Sequence, residues 1–401
     1  MFARRRCTLF ALILFATAFA GAVTTPQDIR AALRELAKYD EINPSLVPYP
    51  KEFSDRALRL RHRLRDFAIG SVVDASHRTT RVEDVLSLAQ QRLREVEFPL
   101  QLSGRTATGD VNPRAHLQLF DVSIPGWIGA KTTIELPCGR DHAVYFLRVR
   151  ADAGGALEAS LAFAKENAID SVQDLSLDLQ VAATQSPRGD ALRIATIESG
   201  GGCVSYWHPV ILRVFETSDQ AYRPLRLFER ERLAYLGDTL QPQVRFHENG
   251  FAFEYRTLFR LDADRNSRRE EVRVANTEQG VRLLPPSPQD PLEFVDEWVT
   301  TPWPDAMLWT TAGKRSNVRR WHKNLAGNLD TRTQPLIVSS GECRDQGEVW
   351  VQLKTGESLE RMRSVYSLLR LGPNGYRVER FATELPQTCR SSEPSPDDRQ
   401  D

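Results

Sequence analysis

Sulfur and histidine are scarce in this chain: 401 residues hold three methionines, five cysteines and seven histidines. No two cysteines stand in a C-x-x-C spacing, so the ligand pair that most structural zinc sites use is missing. His62, His77, His116, His142, His208, His247 and His322 form no H-x-x-x-H or H-E-x-x-H pair, which removes the zinc-hydrolase motifs. No serine sits in a G-x-S-x-G elbow. Net charge is absent as well, with 53 basic against 53 acidic residues, so there is no basic field to hold nucleic acid. No apolar run reaches the roughly 20 residues that a bilayer-spanning helix needs.

What is present begins at the N-terminus. Arg4, Arg5 and Arg6 precede an apolar stretch from Thr8 to Ala20, and small residues at Ala18-Phe19-Ala20 and Ala20-Gly21-Ala22 offer cleavage sites. This is the grammar of a secretory signal peptide over residues 1–22. It predicts an exported protein, periplasmic or secreted, with no transmembrane segment after cleavage. Loss of Arg4, Arg5 and Arg6 leaves the mature chain slightly acidic. Cys7 leaves with the leader. Cys138, Cys203, Cys343 and Cys389 remain, an even number suited to two disulfides in an oxidising compartment. Three connectivities exist. Cys138–Cys203 and Cys343–Cys389 are preferred, because each pair lies within one candidate domain.

The periodicity changes along the chain and predicts an α+β protein in three parts. Residues 23–99 read as helical. Thr25-Pro26 opens one helix, Ser54 to Ala68 make a second, and Thr80-Arg81-Val82-Glu83 looks like a capping box for a third. Residues 100–284 alternate with period two: Leu117–Phe120, Val144–Val149, Leu192–Ile197, Val210–Phe215, Val244–Phe246, Phe251–Phe259 and Val272–Val274. Gly154-Gly155, Ser186-Pro187-Arg188-Gly189 and Asn249-Gly250 separate them as turns. An antiparallel sandwich, or a few propeller-like blades, follows. Leu283 to Pro288 reads as a linker, and residues 391–401 as a disordered polar tail.

Residues 285–390 return to helices and then strands. Asp290-Pro291-Leu292-Glu293 opens a helix carrying Val295, Trp298 and Val299, and a shorter helix runs from Asn317 to Leu325. Strands follow at Leu336–Val338, Val349–Leu353, Val365–Leu371 and Tyr376–Phe381. This order resembles NTF2-like (cystatin-related) α+β domains. The resemblance implies helices capping a bent sheet around a conical pocket. Enzymatic members pair an Asp and a His in that pocket, and His322 has no such partner in the pattern.

Four segments carry candidate chemistry. Asp262, Asp264, Asn266, the carbonyl of Arg268 and Glu270 fall at positions 1, 3, 5, 7 and 9 of a loop, which suits a hard cation. The loop resembles β-propeller-type calcium loops, with Ser267 in place of the usual glycine. Calcium is therefore the one cofactor considered, against a plain hairpin loop. Gly200-Gly201-Gly202 before Cys203 frees the backbone for close approach. Trp298, Trp303, Trp309, Trp321 and Trp350 crowd the last third, where they either line a pocket or fill a core. Arg56, Arg59, Arg61, His62, Arg63 and Arg65 point around much of one helix and read as a solvated face. The expectation is an exported, non-catalytic protein that binds an unknown small ligand or envelope partner. A secreted hydrolase of envelope glycan and a calcium-stabilised structural module are the alternatives.

Overall fold

A computed structural model describes residues 24–38, 48–96, 100, 114–136, 139–201, 206–218, 220–236, 241–247, 249–261, 267–285, 290–329, 334–344, 347–356, 361–373 and 375–389. The leader, Cys138, Cys203, Asp262, Asp264, Asn266 and the polar tail lie outside the described residues. The class is mixed α+β, with two antiparallel sheets among the described residues, one of 12 strands and one of 4. No described helix is long and apolar enough to cross a membrane.

Three helices come first. α1 (Pro26–Ala37) starts at a true capping box: the Thr25 hydroxyl accepts from Asp28 N, and the Asp28 carboxylate accepts from Thr25 N at 2.8 Å. α2 (Lys51–Ser76) overruns its expected end at Ala68, because its apolar stripe continues through Val72 and Ala75. α3 (Val82–Arg94) lacks the expected Thr80 box. Arg81 is its N-cap without a side-chain bond, the Thr79 hydroxyl accepts from Arg81 N at 3.1 Å, and Glu83 turns to the Arg81 guanidinium. Ile29, Leu33, Leu60, Leu64, Phe67 and Val85 bury one helical face. Nor is the arginine run of α2 wholly solvated: Arg61 is buried and donates to Asp141 Oδ1 at 2.9 Å and to the Asn167 carbonyl at 2.7 Å.

The large sheet is folded back on itself twice. β1 (Arg114–Asp121), β2 (Trp127–Leu136), β3 (Gly139–Ala151) and β4 (Leu157–Lys165) pair in hairpins under the helices. β5 (Ser176–Gln185) joins β3 only at Arg140↔Ser176, then leads into β6 (Leu192–Gly200), β7 (Trp207–Glu216) and β8 (Leu225–Tyr235). β8 in turn touches β10 (Gly250–Leu258) only at Ala234↔Thr257. β10 is flanked by β9 (Gln243–His247) and β11 (Ser267–Thr277), and β12 (Gly280–Leu283) closes the edge. Each single-pair junction is a crease. Across the first, Val144, Phe146 and Phe163 meet Leu179, Ile194 and Phe215, with the rings of Phe163 and Phe215 5.7 Å apart. Across the second, Ala195, Ile197 and Leu212 meet Phe251, Phe253 and Val272.

Layering explains the sequence pattern. β6 is covered on both faces, so all but its last residue are buried, including Arg193, Thr196, Glu198 and Ser199. Among the described residues the strands form stacked layers and not propeller blades. The tight β9–β10 turn needs Gly250, since a Cβ there would stand 1.9 Å from the Val274 carbonyl oxygen.

α4 (Pro291–Thr300) begins at Asp290, whose side chain accepts from Leu292 N at 2.8 Å. α5 (Trp303–Ala306) and α6 (Arg315–Ala326) follow; α4 and α6 pack on the meander β13 (Leu336–Glu342), β14 (Glu348–Thr355), β15 (Arg363–Gly372) and β16 (Gly375–Ala382), and α5 packs on α6. Their shared core holds Phe294, Trp298, Trp309, Val351 and Leu369, together with Leu261 from the end of β10. Cys343 and Cys389 form the expected disulfide, which pins the segment after β16 to the β13–β14 turn.

One buried arginine locks the outer layers together. Arg193 of β6 is fully buried and donates to the carbonyls of Gly280 (2.8 Å) and Thr277 (2.6 Å) in the β11–β12 turn, and to Glu216 Oε2 at 3.0 Å. Replacement by methionine leaves the buried Glu216 carboxylate with only Arg188 and the Ser186 hydroxyl and takes a donor from each of two carbonyls, an expected loss of about 1–3 kcal/mol. Urea denaturation of Arg193→Met and of Arg193→Met/Glu216→Gln measures this. The double variant should recover part of the loss, and a single variant as stable as the parent would show that the lock carries no load.

Candidate functional site

Strand alternation sends Arg230 and Arg232 of β8, and Arg268 and Glu270 of β11, to the same side of their strands. They converge where the second crease opens, and α4 covers that opening with Asp296 and Glu297. Arg268 is the hub. Its Nε donates to Asp296 Oδ2 at 2.7 Å and its Nη2 to Glu270 Oε2 at 3.2 Å, while Nη1 stands 3.8 Å from Glu297 Oε2. Asp296 Oδ1 also accepts the backbone N–H groups of Arg260 (2.9 Å) and Leu261 (2.8 Å). Arg232 Nε lies 3.5 Å from Glu270 Oε1, and Arg230 donates to Asp305 Oδ2 at 2.7 Å.

Three arginines thus face four carboxyls, which leaves one acid in excess. Glu297 takes that role. Burial and then the charge of Glu270 push its carboxyl up to about 8, against the pull of Arg268, Arg230 and Arg232. Burial also opposes ionisation of Glu270, but Arg268 and Arg232 outweigh it and hold that carboxyl below its ordinary value. Two neighbouring acids are thereby driven apart, one charged and one neutral at pH 7.

A cavity of about 240 Å³ opens over this network, lined by Arg232, Leu233, Thr257, Arg260, Arg268 and Glu270 among others. Arg268 Nη1, Glu270 Oε1 and the Tyr255 hydroxyl are buried without a hydrogen-bond partner among the described residues. Buried polar groups of this kind ordinarily meet water or a ligand.

The candidates from sequence fall in different places. Arg268 and Glu270 belong to this network, and the Glu270 carboxylate faces two arginines. Asp262, Asp264 and Asn266 lie outside the described residues. Trp298 and Trp309 are core residues, Trp303 and Trp321 pack against that core, and Trp350 stacks edgewise on Tyr366 while its ring fills the space above Gly341. His322 is held in the core, with Nε2 at 3.1 Å from the Trp298 carbonyl and 2.9 Å from that of Thr301. Both partners are acceptors, so Nε2 carries the proton. Sequence reasoning missed Arg232, Asp296 and Glu297. A signal existed: two consecutive acids inside the apolar helix Phe294-Val295-Asp296-Glu297-Trp298-Val299 demand buried cations.

No protein-family model matches the chain, and no curated protein is similar to it.

The raised Glu297 carboxyl makes stability depend on pH. The folded state binds a proton that the unfolded state releases near pH 4.5, so stability falls as pH rises from there through about 8. Glu297→Gln keeps the neutral form. It should match the parent near pH 5 and exceed it by roughly 2–4 kcal/mol at pH 9. Denaturant melts at both pH values read the difference, and a gap that stays constant with pH would place the titration elsewhere.

Proposed function

We propose that this chain is an exported, non-catalytic protein that binds a small polar ligand in the cavity between β8, β10, β11 and α4. The carrying observation is the cavity wall itself: Arg268 and Glu270, both buried, line it, and their Nη1 and Oε1 atoms make no hydrogen bond among the described residues, with only ion pairs to Glu297 at 3.8 Å and Arg232 at 3.5 Å. An occupant with both an acceptor and a donor satisfies them together. Export is supported by the leader grammar of residues 1–22 and by the Cys343–Cys389 disulfide, a bond typical of oxidising compartments. The NTF2-like reading of residues 285–390 rests on helices α4 to α6 preceding the four-stranded meander β13 to β16.

Hydrolysis of an envelope glycan is the second reading, favoured by the unlike ionisation of Glu270 and Glu297, a pattern that acid–base pairs share. Against it, Glu270 lines the cavity but Glu297 does not, so the neutral acid lies beneath the surface a substrate would touch.

The reading is tested by expressing the full chain in a bacterial host and releasing the periplasm by osmotic shock. Native mass spectrometry of the recovered protein should give a processed chain with a bound small molecule. Leu233→Trp, at the half-exposed rim, should lose that mass. A chain left unprocessed in the cytoplasm, or a bare polypeptide mass for the unsubstituted protein, overturns the proposal.

A further inference from the structure

Away from that cavity a second one, of about 450 Å³, opens between the end of β4 and the β7–β8 hairpin, lined by Lys165, Asn167, Arg213, Phe215, Tyr222 and Arg226 among others. Its size falls in the range of small-molecule sites, roughly 300–1,000 Å³.

Lys165 is the deepest polar group, 7 % exposed. Its ammonium donates to Glu198 Oε2 at 2.8 Å and to Asn167 Oδ1 at 3.0 Å. An ammonium has three donors, and among the described residues the third meets no acceptor. Arg213 gives Nε to Glu229 at 2.7 Å and Nη1 to Glu198 at 3.2 Å, and its Nη2 likewise meets none. Arg226 reaches the same Glu229 oxygen at 2.8 Å. Three cations therefore share two carboxylates on this wall, while Glu166, Asp141 and Asp66 face Arg61 and Arg65 beside it, so what the wall presents is open donors and not a net charge. The other acid of the lining, Glu166, is engaged elsewhere: it accepts from the Tyr145 hydroxyl at 2.8 Å and faces Arg65 at 3.6 Å and Arg61 at 3.9 Å. Burial lowers the pKa of Lys165, against the pull of Glu198.

The remaining wall is apolar. Ala164, Phe215 and Pro224 line it, and Tyr222 stands half-exposed at the rim with the Arg65 guanidinium 5.9 Å from its ring centre. A half-exposed tyrosine ring and an apolar wall beside open cationic donors suit a ligand with one flat apolar part and one anionic head.

We propose that this cavity binds an organic oxyanion, its carboxylate or phosphate head meeting Lys165 and Arg213 and its flat body lying against Phe215 and Tyr222. The site is independent of the cavity over Arg268.

Calorimetric titration of the mature protein with phenyl phosphate, benzoate and inorganic phosphate tests it. At least one aromatic anion should bind saturably with one site per chain and more tightly than inorganic phosphate, and whichever binds tighter identifies the head group. Tyr222→Ala removes a half-exposed ring whose one described ring contact is the Arg65 guanidinium. It should weaken the aromatic anion about tenfold, as loss of one stacking partner does, and leave inorganic phosphate unchanged. Lys165→Met paired with Glu198→Gln avoids a stranded buried carboxylate and should abolish binding of every anion. No saturable binding of either aromatic anion overturns the proposal, as does binding that both variants leave intact.

Discussion

A guanidinium shut away from water has to be neutralised where it stands. Arg268 is fully enclosed, and the acids that neutralise it come from two parts of the chain: Glu270 from its own strand and Asp296 and Glu297 from α4. Removing either side leaves the other as uncompensated buried charge, which costs far more than an unmade surface ion pair. The C-terminal helices and the large sheet are thereby obliged to form together. Asp296 strengthens the obligation by also capping the backbone N–H groups of Arg260 and Leu261 as β10 ends.

The same logic recurs at smaller scale through the layers. Arg61 binds α2 to the start of β3 through Asp141, whose burial lifts its carboxyl to about 6 against the pull of Arg61. Lys165 binds β4 to β6 through Glu198, and Arg193 binds β6 to the β11–β12 turn. Apolar surface drives the layers together. The buried ion pairs fix their register, because a slip of one residue would turn each charge onto the wrong face of its strand.

Much of this was legible in the sequence. Five of the six described helices fall on the predicted segments or continue them, and the short α5 was not predicted, since Pro302 and Pro304 read as a break. Each of the seven predicted strand segments of the middle region coincides with a strand. β2, β4, β5, β8 and β12 were not legible. β8 reads Leu-Arg-Leu-Phe-Glu-Arg-Glu-Arg-Leu-Ala-Tyr, and its charges suggest a solvated segment until Asp305 and Glu270 are seen to meet Arg230 and Arg232. The ion network itself joins residues about 70 positions apart along the chain, and no local spacing records that. The tryptophans illustrate a different limit: composition places aromatic rings in the last third, but whether a ring such as Trp298 fills a core or borders a cavity depends on what packs over it. For the Cys343–Cys389 pair the preference for partners within one region was enough.

The two creases, Arg140↔Ser176 and Ala234↔Thr257, are also the points where the ladder of the large sheet is thinnest. Within each layer neighbouring strands share many backbone bonds, but between layers continuity narrows to a single residue pair. Cooperativity should follow that geometry. Each layer is a unit that opens and closes as one, and opening spreads from layer to layer through side chains and not along the backbone ladder. In mechanical terms the sheet is a hinged stack, whose stiffness across the hinges comes from the apolar cluster at each crease and from a few buried ion pairs.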